Sequence, residues 1–151
     1  AGDGDDTILS GGGDDEIWAG IGSDFINAGT GNNHIHCGED NDMDTIRISN
    51  DAGFTDYIYD FNPNIDVLNI SGSLGNVELI GNNYVLTSDN NHKIVLNNAA
   101  NEYSAVHLIQ AMNAFGTETS SSSGVWDRAG PVVGNNLYDL AVSIDINRKT
   151  A

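Results

Sequence analysis

Glycine recurs at fixed places in a nine-residue frame along the first part of the chain, and this periodicity constrains the fold more than any other feature. Cut in nines from residue 1, the sequence reads AGDGDDTIL, SGGGDDEIW, AGIGSDFIN and AGTGNNHIH. Place two is Gly2, Gly11, Gly20 and Gly29, and place four is Gly4, Gly13, Gly22 and Gly31. Place six is Asp6, Asp15, Asp24 and Asn33, and place eight is Ile8, Ile17, Ile26 and Ile35. A further unit starting at Cys37 keeps Gly38 and Asp42 but has Asp40 where its second glycine belongs, and the register dissolves after it. Self-similarity at a fixed short period is the mark of a solenoid.

Each place has a physical task. Glycine allows the left-handed or crowded backbone of a tight six-residue turn. The last three residues of a unit make a short strand whose central isoleucine points inward. Two units complete one coil, so units n and n+2 stack, with parallel strands about 4.8 Å apart. The Asp-bearing turns repeat at the same spacing. Calcium–oxygen bonds are about 2.4 Å, so an ion between two stacked turns reaches oxygens of both. Without an ion, carboxylates stacked about 5 Å apart repel by about 1 kcal/mol per pair in water and several at a protein-like dielectric. With it, binding free energy becomes folding free energy. A single isoleucine ladder is too thin a core to hold such a roll alone.

The formal charge of −17, with five Lys+Arg, fits this picture. It argues against nucleic acid and against anionic membrane surfaces, since both are polyanions. It leaves a solvated acidic chain or a chain whose carboxylates await a cation, and the repeat favours the second. Cys37 is the sole cysteine, so no intrachain disulfide forms. No apolar run is long enough to span a bilayer. The chain opens inside the repeat without a signal peptide, so a fragment of a longer protein is expected.

The units resemble the Gly-Gly-x-Gly-x-Asp-x-apolar-x repeats of the RTX (repeat-in-toxin) family, specifically over residues 1–45. The resemblance implies a mainly all-β fold, a right-handed parallel β-roll binding about three calcium ions. It further implies that each ion takes carbonyls from places two and four of one turn, carbonyls from places one and three of the turn two units on, and both place-six side chains. Carried across, the first site is Gly2, Gly4 and Asp6 with Ala19, Ile21 and Asp24. The second is Gly11, Gly13 and Asp15 with Ala28, Thr30 and Asn33, weaker because Asn33 lacks the charge. The third is Gly20, Gly22 and Asp24 with Cys37, Glu39 and Asp42.

Beyond the repeats, residues 46–116 read as a β-rich capping segment. Short strands are expected at 46–48, 55–61, 65–70, 77–80, 84–86 and 93–96, separated by Asn, Gly and Ser clusters. The stretch containing Asp56, Asp60, Asp66, Leu68 and Ile70 resembles the segment that follows the repeats in many RTX proteins, which implies continuation and capping of the roll. Those three aspartates could take a further ion or serve as turn and surface residues. A helix is expected near 102–115, with Ala105, Leu108, Ile109 and Met112 on one face, Phe115 at its edge and Gly116 ending it. Residues 117–124 read as a Ser-rich linker. In the tail, 125–151, residues 137–146 could form a strand or an amphipathic helix. The helix, Ser-rich and short apolar ending resembles a type I secretion signal. His34, His36, His92 and His107 show no zinc spacing, and His34 and His36 are expected to point to opposite faces of their strand.

No H-E-x-x-H, G-x-S-x-G or phosphate-cradling loop is present, which speaks for a non-catalytic module. The leading reading is a calcium-binding module that folds outside the cell and supports type I secretion and folding of a larger secreted bacterial protein, an adhesin, toxin or extracellular enzyme. Its partners would be calcium, the type I secretion machinery and upstream domains, at a secreted or cell-surface location. The alternative is a polysaccharide-binding module such as those of alginate epimerases, although residues 1–45 contain no Lys or Arg. Calcium-dependent self-assembly is a third option.

Overall fold

The computed structural model describes residues 1–49, 51–114 and 132–150. Each nonapeptide forms a turn followed by a three-residue strand, because the isoleucine of place eight can be buried only by stacking. The elements of the repeats are β1 (Gly2–Asp3), β2 (Thr7–Leu9), β3 (Glu16–Trp18), β4 (Gly20–Ile21), β5 (Phe25–Asn27) and β6 (His34–His36). They continue as β7 (Thr45–Ile48), β8 (Thr55–Tyr59), β9 (Val67–Ile70), β10 (Leu74–Ile80), β11 (Asn83–Ser88) and β12 (Lys93–Leu96). The helices are α1 (Ala105–Ala114) and α2 (Val132–Thr150).

The chain is a parallel β-solenoid of about 3 turns, as expected of the repeats. One wall is a sheet of order β2-β5-β7-β9, and the other has the order β10-β11-β12-β8-β6-β3. Within the roll all pairings are parallel, with Ile8 opposite Ile26, then Ile46 and Leu68 on one wall. Ile17, Ile35 and Ile58 align on the other, followed by Leu96. All of these residues except the half-buried Ile8 are buried. The register therefore does not dissolve after residue 43. Phe25 pairs with Thr45, and the turn between has simply lengthened.

The strands expected at 77–80, 84–86 and 93–96 form. β12 adds parallel to β8, and β11 and β10 then run antiparallel, which replaces solenoid winding by a meander. Tyr84, Leu86, Leu74 and Ile94 carry the core on into this cap. Ala105, Leu108 and Ile109 of α1 are buried against it, as their spacing predicts. The side chain of Met112, and Phe115 and Gly116, lie outside the described residues, as does the linker 117–124. In the tail, residues 137–146 belong to α2, a 19-residue helix packed on β10 and α1. Among the described residues no helix is long and apolar enough to cross a membrane.

Candidate metal centre

The aspartates of place six form two ladders, one along each edge of the roll. On the first edge the amide of Asp6 donates to Asp24 Oδ1 at 2.7 Å, that of Asp24 to Asp44 Oδ1 at 2.9 Å, and that of Asp44 to Asp66 Oδ1 at 3.1 Å. On the second, Asp15 donates to Asn33 Oδ1 at 3.0 Å and Asn33 to Asp56 Oδ1 at 3.0 Å. Each carboxylate is thus held by the turn before it, facing the gap between two turns.

Place five carries a ladder of its own, running the other way. Asp5 Oδ1 accepts from the Ser23 amide, and Asp14 Oδ1 accepts from that of Asn32. Asn32 Oδ1 in turn accepts from the Thr55 amide. Sequence reasoning passed over these residues. The signal was there, since place five reads Asp5, Asp14, Ser23 and Asn32, all short hydrogen-bonding side chains.

The glycines are explained by close stacking. Gly22 has φ +123°, and a Cβ there would fall 2.6 Å from the Gly4 carbonyl oxygen. A Cβ on Gly29 would meet the Gly11 carbonyl still more closely. The carbonyls of Gly11, Ala19, Ile21 and Thr30, four of the expected ligands, accept amide hydrogen bonds between stacked turns. Each keeps a second lone pair for a cation.

The residues expected at the first and second sites lie on stacked turns, Gly2, Gly4 and Asp6 over Ala19, Ile21 and Asp24, and Gly11, Gly13 and Asp15 over Ala28, Thr30 and Asn33. The third needs a correction. Asp42 is exposed and its amide turns back to Asp40 Oδ1. Asp44 occupies the ladder beneath Asp24. The step from Asp6 to Asp24 is 18 residues, whereas that from Asp24 to Asp44 is 20. Two residues inserted in the turn account for the difference. Gly20 and Gly22 stack on this longer turn, where Asp40 Oδ2 accepts from the Gly22 amide at 3.1 Å. Cys37 is buried and the Glu39 side chain is exposed.

The residues present fit a hard cation. Oδ2 of Asp15 and Oδ2 of Asp24 are buried and have no hydrogen-bond partner among the described residues. A buried carboxylate oxygen left unpaired is costly unless a positive charge completes it. The ladder residues would hold calcium through carboxylate and carbonyl oxygens, and the ion would supply the charge that neutralises them. The electrostatics agree. Burial, reinforced by Asp66, Asp24 and Asp40, pushes Asp44 up to about 7, against the hydrogen bond from the Asp24 amide. Burial likewise pushes Asp66 up to about 6.

The second ladder ends differently. His92, distant in sequence, places Nε2 at 2.9 Å from Asp56 Oδ2, with both side chains almost fully buried. Its Nδ1 lies 2.9 Å from the Asp51 carbonyl. A carbonyl only accepts, so Nδ1 donates, and the carboxylate draws a second proton to Nε2. Burial lowers the His92 pKa, but Asp56 and Asp51 together raise it above the ordinary value. The imidazolium thus closes the ladder where no further turn follows. Asp56 and Asp66 are buried ladder members, and of the three aspartates weighed in this segment Asp60 alone is an exposed turn residue.

His34 and His36 do not point to opposite faces. Residues two apart in a strand share a face, and both lie on the outer side of the wall, flanking buried Ile35. His36 stacks between Trp18 and Tyr59, at 3.6 and 4.4 Å between ring centres, and His34 stacks on Tyr57 at 4.7 Å.

No curated protein matches the chain. The family model of the RTX calcium-binding nonapeptide repeat matches in four copies, over residues 1–35 and 18–43. The matched residues 1–43 carry the first members of the acid ladders, Asp6, Asp15, Asp24 and Asn33, and are similar to the RTX calcium-binding nonapeptide repeat.

Proposed function

We propose that this chain is a non-catalytic calcium-folded module of a secreted bacterial protein, kept unfolded where calcium is scarce and folded where it is millimolar. The observation that carries this reading is the pair of acid ladders, with buried Asp15 and Asp24 oxygens that have no partner among the described residues. The ions fall between Asp6 and Asp24, between Asp15 and Asn33, and between Asp24 and Asp44, three in number. In the cell the stacked carboxylates repel, and the chain remains extended and able to pass a narrow export channel. Outside, calcium turns repulsion into coordination. The meander and helices then serve as the cap on which the roll stacks, and folding there supports a larger adhesin, toxin or enzyme to which the module is joined. The tail, α2 included, acts as the type I secretion signal while unfolded.

The test is far-UV circular dichroism of the whole chain during a calcium titration, with magnesium as control. A cooperative coil-to-β transition with calcium and none with magnesium is expected. A chain fully folded in chelator would overturn the switch and leave calcium as a local staple. The polysaccharide-binding alternative has weaker support, because the turns that would face an acidic sugar carry the same sign of charge.

A further inference from the structure

Cys37, Asp44 and Asp66 bring a sulfur and two carboxylate oxygens to within 4.8 Å of one another. The three residues are 0%, 1% and 5% exposed. The lengthened turn causes this meeting. It carries Asp44 two residues further on, while Cys37 stays at place one, where Ala19 and Ala28 stand in earlier turns. Asp66 comes from the following turn on the same edge. Its Oδ1 accepts from the Asp44 amide and its Oδ2 from the Asn62 amide at 2.8 Å, which holds the carboxylate fixed and leaves a lone pair on each oxygen. The buried thiol is free and has no hydrogen-bond partner among the described residues.

An approach from solvent lies alongside. A half-enclosed cavity of about 360 Å³ is lined by Gly38, Glu39, Asp40, Asp60, Asn62 and Glu102. Gly38 adjoins Cys37 in the chain, and burial, then the charges of Asp66, Asp44, Asp60 and Asp40, push the Cys37 thiol well above its ordinary range, so only a bound cation would draw off its proton. Four carboxylates at such a mouth concentrate cations at its floor.

We propose that Cys37 Sγ and one carboxylate oxygen each of Asp44 and Asp66 form a further cation site, for a thiophilic divalent ion of the zinc class. Calcium seeks six to eight oxygens and gains little from sulfur. A thiolate with two carboxylates and an open fourth position is instead a zinc-type donor set. On binding, the S–H bond breaks, the sulfur keeps the electron pair and donates it to the ion, and the proton leaves to water. No oxidant or reductant is needed. The site rests on the proposed function only for the fold, and it shares Asp44 with the calcium placed between Asp24 and Asp44, each ion taking a different carboxylate oxygen.

The probe is cobalt(II), titrated into the full chain under reducing conditions and saturating calcium, with circular dichroism on the same samples. One equivalent should bind, with a thiolate-to-metal charge-transfer band and release of about one proton per ion. Cys37→Ala should abolish the band and weaken binding by about tenfold or more, while keeping the calcium-induced dichroism, because alanine already fills place one at residues 19 and 28. Asp66→Asn should weaken the band about tenfold. Absence of the band in folded wild-type chain, its survival in Cys37→Ala, or its removal by excess calcium would overturn the proposal. Failure of the calcium switch shows in the dichroism alone, so the two readings fall separately.

Discussion

Asn33 is the residue where one ladder departs from its own rule. Its Oδ1 accepts from the Asp15 backbone amide, and its Nδ2 donates to Asp56 Oδ1 at 2.9 Å, so a neutral side chain links the Asp15 turn to the Asp56 carboxylate. Asn33→Asp would restore a charged ligand to the second site and remove that link. Calcium affinity there should rise about tenfold. Calcium titrations of the variant would show the change. The ladders also set a pH dependence. In the calcium-free fold Asp44 is raised to about 7 and Asp66 to about 6, so the folded state binds protons that the unfolded chain has released. Their stabilisation is complete below the ordinary carboxylate range and is lost as pH rises through about 6 to 7. His92, also raised, acts in the same direction. In chelator, far-UV circular dichroism should show more β-structure at about pH 5 than at about pH 8. Saturating calcium should weaken that order, because the ion between Asp24 and Asp44 replaces the proton on Asp44.

Among the elements, the two helices depend on each other through one side chain. Asp145 of α2 accepts from the amides of Ala105 and Val106 at 2.8 and 3.0 Å, so it satisfies the first turn of α1 from outside that helix. Arg148 reaches the Tyr84 hydroxyl at 2.7 Å and the Ala100 carbonyl at 2.5 Å, tying α2 to the meander. Tyr84 passes its own hydrogen to the Tyr103 carbonyl. Asp145→Ala should cost about 1 kcal/mol, as for loss of a helix cap. Hydrogen exchange should speed at the Ala105 and Val106 amides while those of β5 and β6 are unaffected. Uniform loss of protection would instead mean that roll and cap unfold as one.

Across the whole molecule, the roll is closed by residues far from it in sequence. β12 covers the exposed edge of β8, and His92 just before it supplies the positive charge that the second ladder otherwise lacks. His92→Ala would strand the buried Asp56 carboxylate. A loss of about 3–5 kcal/mol is expected, as for breaking a buried ion pair. The calcium-induced dichroism should then appear only at higher calcium, and Asp56→Asn in the same background should recover part of the loss. If His92→Ala melts like the parent chain, the imidazole is not the ladder's counter-charge.

How far these features could be read in advance follows from their range. The nonapeptide period determined the roll, the buried isoleucines and the ligand-bearing turns, because stacking couples each residue to one a fixed distance along the chain. Strands at residues 77–80, 84–86 and 93–96 were legible for a similar reason, from local alternation bounded by turn residues. The place of Asp42 was misread because an insertion within a turn leaves the strand pairing intact while shifting the ladder residue to Asp44, and only Phe25 pairing with Thr45 shows it. The helical state of residues 137–146 was likewise undecided, since their apolar pattern suits either period and the choice rests on packing against β10 and α1. The tertiary structure alone brought His92 to Asp56, and Cys37 to Asp44 and Asp66. Those meetings depend on where turns of unequal length carry each side chain, which no local rule of the sequence encodes.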